Sequence, residues 1–555
     1  MVKIKIDDKE VEVKEGTTLL EAAKSVKAEI PHFCYHSKLS ISGNCRMCLV
    51  QIEGQAKPVI SCRERAREGM VVHTKTPEVK KMQQSVLEFI LLNHPLDCPI
   101  CDQSGECDLQ DHYFKYSNFP SRLEEEKIHK PKVKQLGPLV TLDDERCIVC
   151  TRCVRFCDEI AGVYELCVID RGGHSTLTTY PGKELKNPYS LCTVDVCPVG
   201  ALTSTDFRFQ KRVWFLKSFR SVCTGCSTGC NIRVDQDDGV VYRYKPRDNE
   251  AVNQCWMCDE GRLSYKFIND ERGCNPSQRV CDPLHRVFDP LHKKEGILFK
   301  TDWEEALQEV RSFSPSPLEG EGARRTGEGE PSFPVVFVLS AQATCEENFA
   351  LYQYAKQFKN VHFMVTGKEV QNPSQDGFLI SADKNPNWAF LHLLEKSVTL
   401  PLTPSHQGRG VVPPRREWGE GEIPQGAVIY VLEGVSTKLR QKIVDSKPKK
   451  VIGLVSNLYD DTNWADLLFP KPTFVEQDGT FVNRQNRIQR IWKGFEPKGH
   501  AKPVWEILRL LNPKFPFASA EAIFQEMTEE ISVLKGLTYR EIGDQGIPLP
   551  FVRGG

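Results

Sequence analysis

The sequence predicts a multidomain protein, α+β in its first half and α/β in its second. Three observations carry this. Of 22 cysteines, 21 lie before Asp282 and only Cys345 lies beyond it, so small cysteine-tied modules fill the first half. Val2, Ile4 and Ile6, then Val11 and Val13, alternate with polar residues about the turn DDKE, as in a hairpin with one buried face. Val335 to Leu339, Val428 to Leu432 and Val451 to Leu454 are apolar strand-like runs separated by helical stretches, which suits a parallel sheet covered on both faces.

Composition narrows the function. Lys plus Arg total 73 against 74 Asp plus Glu, which supplies no basic footprint for nucleic acid. The longest apolar runs, such as Val86 to Leu92, fall far short of the roughly 18 residues that span a bilayer, so no transmembrane segment is expected. The opening MVKIKIDDKEVEV lacks a charged-then-apolar leader, so export is not expected and disulfides are the weaker reading of the cysteines.

After the hairpin, Thr18 with Glu21 forms a capping box for a helix through Leu19, Leu20, Ala22 and Ala23. Cys34, Cys45, Cys48 and Cys62 follow with spacing C-x10-C-x2-C-x13-C around the strand-like LVQIEG and KPVISC. Four thiolates on loops about a small sheet suit a 2Fe-2S cluster, whereas structural zinc prefers two short paired spacings. Gly43 allows backbone amides to approach the sulfurs.

PEVKKMQQSVLEFILLNH, with Met82, Val86, Phe89 and Ile90 at helical spacing, predicts a helix that delivers His94 at its end. His94, Cys98, Cys101 and Cys107 then read H-x3-C-x2-C-x5-C, a pattern open to zinc or to an iron-sulfur cluster. Asp97, Asp102, Glu106, Asp108 and Asp111 crowd this loop. Next, Cys147, Cys150, Cys153 and Cys157 read C-x2-C-x2-C-x3-C, with Cys197 preceding a proline in VDVCPVGAL. That is a bacterial ferredoxin signature, in which three local cysteines share a cubane with a remote Cys-Pro cysteine. Cys147, Cys150, Cys153 and Cys197 are the expected 4Fe-4S set; Cys157 is expected to be a spare buried thiol, and a second cluster from Cys157, Cys167 and Cys192 lacks a fourth cysteine. Finally Cys223, Cys226 and Cys230 read C-x2-C-x3-C beside a small sheet from NIRV and VVYRY, and spacing does not choose between Cys255 and Cys258 as their fourth partner.

In order, SGNCRMCLV, the histidine-cysteine stretch, CIVCTRCVRF, VCPVGALTS and WMCDEGR resemble the large iron-sulfur subunit, of the 75 kDa type, in the peripheral arm of NADH:quinone oxidoreductase, respiratory complex I. The resemblance implies a β-grasp 2Fe-2S ferredoxin domain at 1–77, a histidine-plus-three-cysteine 4Fe-4S segment at 78–117, a ferredoxin-like 4Fe-4S domain at 138–215 and a 4Fe-4S small-sheet domain at 216–272. It makes His94 an iron ligand and Cys258, in CDEGR, the fourth ligand of the last cluster, leaving Cys255 spare. The cofactors implied are one 2Fe-2S and three 4Fe-4S clusters, with no molybdenum and no flavin in this chain.

The resemblance continues through TDWEEAL, LSAQATCEENFALYQYAKQF, ADLLFPKPTFVEQDGTFVNRQNRIQR and PVWEIL, which are similar to the molybdopterin oxidoreductase fold and imply a reduced α/β domain of that kind at 273–555. Two segments depart from the family, 314–332 and 402–422. Both are rich in Pro, Gly, Glu and Arg with almost no apolar residues, and are expected to be surface loops or disordered.

The implied function is an electron relay from a flavin in a partner subunit towards quinone. No dinucleotide fingerprint is present, so NADH oxidation is expected in the partner and no complete catalytic site in this chain. The implied partners are a flavin/NADH-binding subunit and a quinone-proximal iron-sulfur subunit, on the cytoplasmic side of the inner membrane. A catalytic subunit of a molybdenum formate dehydrogenase or a related hydrogenase is the competing reading. A hydrogenase needs a further cysteine cluster; a formate dehydrogenase needs a molybdenum ligand, and Cys345 sits where a helix is expected to start. A zinc-rich interaction protein is the third, and the ferredoxin signature opposes it.

Overall fold

A computed structural model of the chain describes residues 1–117, 120–269, 286–313, 333–370, 372–397, 422–433, 435–458 and 464–550. The insert 314–332, the segment 402–421 of the second insert, and Cys274 and Cys281 lie outside the described residues. The chain divides into two compact units, Met1–Leu216 and Lys217–Gly555.

The first unit opens with the expected hairpin, Val2–Ile6 antiparallel to Lys9–Val13, in a five-stranded sheet. Val71–His73 pairs parallel to Val2–Ile6, and Leu49–Ile52 and Val59–Ile60 complete the sheet antiparallel. The helix Leu19–Ser25 packs Leu19, Leu20, Ala22 and Ala23 into a core with Ile4, Ile6, Val50 and Val72. Only half of the capping box forms: Thr18 accepts the Glu21 N–H, but the Glu21 carboxylate turns away to the Tyr35 hydroxyl at 2.7 Å and to Lys24. A long-range partner outweighs the local one here.

The helix Pro77–Leu91 begins at the cap Thr76 and ends three residues before His94. Its buried stripe is Val79, Gln83 and Leu87, while Phe89 is 75% exposed. The face differs from the expected one because the Gln83 amide is buried to donate to the Leu49 carbonyl at 3.1 Å, which ties the helix to the sheet. Beyond the helix Asp108–Tyr116, a three-stranded sheet (Lys134–Gln135, Val140–Leu142, Leu202–Ser204), the helices Arg152–Glu159 and Cys192–Asp195 and the hairpin Leu166–Ile169 with Thr176–Thr179 complete the unit.

The second unit starts with an antiparallel sheet of Lys217–Val222, Asn231–Asp237 and Val240–Pro246. Among the described residues its main sheet has seven strands. Leu467–Pro470, Lys450–Val455, Val428–Leu432, Val335–Ser340 and Val361–Thr366 run parallel in that order, and the hairpin Leu291–Lys294 with Ile297–Lys300 adds an antiparallel edge that the apolar runs did not announce. Alternate residues of VVFVL enter two separate cores, Phe337 and Leu339 on one face and Val336 and Val338 on the other. Burial on both faces explains a run that is continuously apolar rather than alternating. The multidomain α+β and α/β class is therefore the observed one.

Candidate iron-sulfur centres

Cys34, Cys45 and Cys48 sit on the loop between the helix Leu19–Ser25 and the strand Leu49–Ile52, and Cys62 follows Val59–Ile60. Gly43 and Arg46 take left-handed backbone at φ 66° and 57°, which turns the chain around the sulfurs. The Cys34 N–H lies 3.5 Å from Cys45 Sγ. The Cys34 thiol is drawn down to about 5, first by the Cys45 sulfur and, against its burial, by backbone N–H groups of Cys45, Asn44 and Gly43. Cys48 and Cys62 form the second sulfur pair. The expected approach of amides at Gly43 is thus present.

His94, Cys98, Cys101 and Cys107 line one cavity together with Arg146 and Gly200. His94 Nδ1 is buried without a hydrogen-bond partner. Burial, then the charges of Arg146 and Lys127, pulls the imidazole down to about 4, so it is neutral at physiological pH, the form that can ligate a metal. The acidic crowd separates by role. Asp97 pairs with Arg146 at 3.0 Å and Lys132 at 2.6 Å, Asp102 is buried and accepts the Phe209 N–H, and Asp108 lies 3.9 Å from Arg152.

Cys147, Cys150, Cys153 and Cys197 line a second cavity with Val149, Thr151, Val199 and Leu202. Val149 and Thr151, both β-branched, take left-handed backbone at φ 52° and 61°, strain that persists only where the surroundings demand it. This turn aims amides at sulfur: Cys147 accepts the Val149 N–H, Cys150 that of Arg152, and Cys197 those of Val199, Ala201 and Leu202. Burial and then the neighbouring sulfurs push Cys147 and Cys150 up to about 12. Cys157 and Cys192 are buried and Cys167 half-buried, and none of the three lines this cavity.

In the second unit burial, and then the charges of neighbouring sulfurs, push the thiols of Cys223 and Cys230 up: Cys226 and Cys258 act on both, and Cys223 also acts on Cys230. The Gly225 N–H donates to Cys223 Sγ at 3.4 Å and the Gly261 N–H to Cys258 Sγ at 3.3 Å. A Cβ on Gly261 would lie 3.0 Å from Cys223 Sγ and 3.3 Å from Cys258 Sγ, so the chain passes against the sulfurs where only glycine fits easily. Cys258 caps the helix Asp259–Leu263, and its charge acts on both Cys223 and Cys230. Cys345 is buried at the start of the helix Cys345–Ala355, with its thiol 3.4 Å from Asn387 Oδ1.

The donor sets fit iron-sulfur clusters. Each gathers soft sulfur donors, with N–H groups directed at the sulfurs, the arrangement that stabilises anionic thiolate and sulfide. Among the described residues no three His, Cys, Asp or Glu side chains converge closely enough for one metal ion. Sequence reasoning missed Arg146, Gly200, Arg152 and Arg155, which touch these sets. The three arginines inside RCIVCTRCVRFC were the available signal, but their partners are distant in sequence.

Five family models match: 2Fe-2S iron-sulfur cluster binding domain at 1–77, NADH-ubiquinone oxidoreductase-G iron-sulfur binding region at 83–119, NADH-quinone oxidoreductase subunit 3, ferredoxin-like domain at 137–203, Molybdopterin oxidoreductase Fe4S4 domain at 216–270 and Molybdopterin oxidoreductase at 426–513. The NADH-quinone oxidoreductase G subunit of Rickettsia bellii (strain RML369-C) is 44% identical over 322 residues, 57% of this chain and 45% of that protein. The NADH-ubiquinone oxidoreductase 75 kDa subunit of Reclinomonas americana is 47% identical over 276 residues, 50% of this chain and 40% of that protein. These matches span less than half the length of the relatives. A chain from a crystal structure of NAD+-reducing NiFe-hydrogenase in the H2-reduced state is 27% identical, covering 38% of this chain and 91% of that one at a TM-score of 0.35, which carries no argument. The resemblance to the large iron-sulfur subunit of complex I that the motifs carry is therefore borne out.

Proposed function

We propose that this chain is an electron-relay iron-sulfur subunit of the peripheral arm of an NADH:quinone oxidoreductase, passing single electrons from a flavin in a partner subunit towards quinone. One observation carries the reading most directly: the sets of the first unit abut. Cys197 belongs to one set, while three residues on Gly200 lines the His94 cavity and Pro198 O accepts the Asp108 N–H beside Cys107. Adjacent sets of this kind suit one-electron transfer from one centre to the next.

The ligands assigned are Cys34, Cys45, Cys48 and Cys62 for a 2Fe-2S cluster, and His94, Cys98, Cys101, Cys107; Cys147, Cys150, Cys153, Cys197; and Cys223, Cys226, Cys230, Cys258 for three 4Fe-4S clusters. When bound, these clusters supply reversible one-electron storage; the chain supplies ligands, N–H groups and exclusion of water. The domains proposed are 1–77, 78–117, 138–215, 216–272 and 273–555. The partners proposed are the flavin-bearing and quinone-proximal iron-sulfur subunits, with the chain held peripherally on the cytoplasmic side of the membrane. No helix among the described residues is long and apolar enough to cross it.

The formate dehydrogenase and hydrogenase readings are not favoured by the named relatives, and the enclosed Cys345 thiol gives them no support. Metal analysis of anaerobically purified chain tests the assignment. About 14 irons with equal acid-labile sulfide, and negligible zinc and molybdenum, are expected. Stoichiometric zinc without sulfide would overturn it.

A further inference from the structure

The helix Arg152–Glu159 lies between two ligand loops and holds both. The Arg155 guanidinium donates through Nη2 to the Cys34 carbonyl at 2.6 Å and to the Cys150 carbonyl at 3.4 Å. Nη1 donates to the Ser40 carbonyl, and Nε to Thr151 Oγ1 at 3.3 Å. One side chain thus joins the backbone of a ligand in the Cys34 set to that of a ligand in the Cys147 set. Two further bonds flank it: Asn44, next to Cys45, donates to the Val149 carbonyl at 3.0 Å, and the Ser40 N–H donates to Glu159 at 2.7 Å.

We propose, on the relay reading above, that Arg155 is a positioning residue shared by two cluster sites: its guanidinium fixes the Cys34 loop against the Cys150 loop and sets one positive charge beside both. The planar fork is what the geometry requires, because three of its nitrogens reach four acceptors in two loops; a lysine ammonium carries the charge on one flexible point and has only three donors. Each cluster gains a negative charge on reduction, so a cation held near both favours reduction of both, and the fixed spacing couples them. The charge of Arg155 already acts on the Cys150 sulfur.

The test uses the full-length chain, purified anaerobically, with redox titration followed by electron paramagnetic resonance. Arg155→Met is expected to keep its iron while the midpoints of the 2Fe-2S cluster and of the Cys147-set cluster both fall, each reduction equilibrium shifting about tenfold, which for one electron is about 59 mV. The other two signals stay in place. Arg155→Lys is expected to restore the midpoints towards wild type but not the spin-spin relaxation between the two clusters, which depends on their spacing. Asn44→Ala, with the charge intact, is expected to weaken that relaxation without moving either midpoint. Unmoved midpoints in iron-replete Arg155→Met, or movement of only one, overturn the proposal, as does equal loss of iron in the Met and Lys variants, which marks a merely structural role. Zinc without sulfide in the wild-type chain would overturn the relay reading and this proposal with it; unmoved midpoints overturn this proposal alone.

Discussion

A side-chain carbon on Gly200 would overlap Cys101 Sγ, so a residue three positions beyond one ligand, Cys197, is shaped by a sulfur of a different set. Gly200→Ala is therefore expected to displace Cys101 and cost the His94-set cluster, about four irons per chain, while the other sets remain loaded. Iron and sulfide counts with spectra of the reduced protein check this; a full iron content would show that the loop yields instead.

His94 is delivered by a capped helix, neutral and with one buried ring nitrogen unpartnered. His94→Cys is expected to assemble a cluster with a lowered potential, since a thiolate adds negative charge, and His94→Ala to weaken or lose it. Spectra unchanged in both variants would remove His94 from the ligand set.

Glu346 is fully buried and accepts the Thr480 N–H at 2.7 Å, the Thr480 hydroxyl at 2.9 Å and the Tyr539 hydroxyl at 2.9 Å. Burial pushes its carboxyl up to about 7 against these hydrogen bonds. The folded value lies above the unfolded one, so its contribution to stability is full below about 4.5 and is lost as the pH rises through about 7. The expected loss between pH 5 and 8 is on the order of a few kcal/mol. Calorimetric melting of wild type and Glu346→Gln across that range should show a fall that the variant largely lacks.

Lys471, at the carboxyl end of its parallel strand, is buried between Glu347 at 2.8 Å and Glu433 at 2.5 Å. Burial favours the neutral amine, but the two carboxylates prevail and raise it above its ordinary value. Lys471→Met leaves two buried carboxylates unmatched and is expected to cost roughly 3–5 kcal/mol. Adding Glu347→Gln and Glu433→Gln should recover much of that. Denaturant melts of the three proteins decide it, and a single variant as stable as wild type would show that water reaches the carboxylates.

Cluster ligation is chemically narrow, which is why so much of the chain is readable in one dimension. Cysteine type and spacing identify candidate sets because a local loop can wrap only a few irons, and runs such as VVFVL identify a doubly covered sheet because both faces must be apolar. Helix existence at Pro77–Leu91 is legible from its periodicity, but its buried face is not, since Gln83 is buried to donate to the carbonyl of Leu49 far away in sequence. The same limit applies to the capping box, where Tyr35 takes the Glu21 carboxylate from its local partner.

The sequence by itself determined which residues can hold sulfur-ligated metal, the order of the modules and three central strands of the main sheet. Only the tertiary structure decided which sets abut, that Gly200 yields space to Cys101, and that Arg155 joins Cys34 to Cys150. Spacing encodes what a loop can wrap, since neighbours in sequence share a few bonds of reach. Contacts between loops are set by packing of residues far apart in the chain, which local pattern does not record.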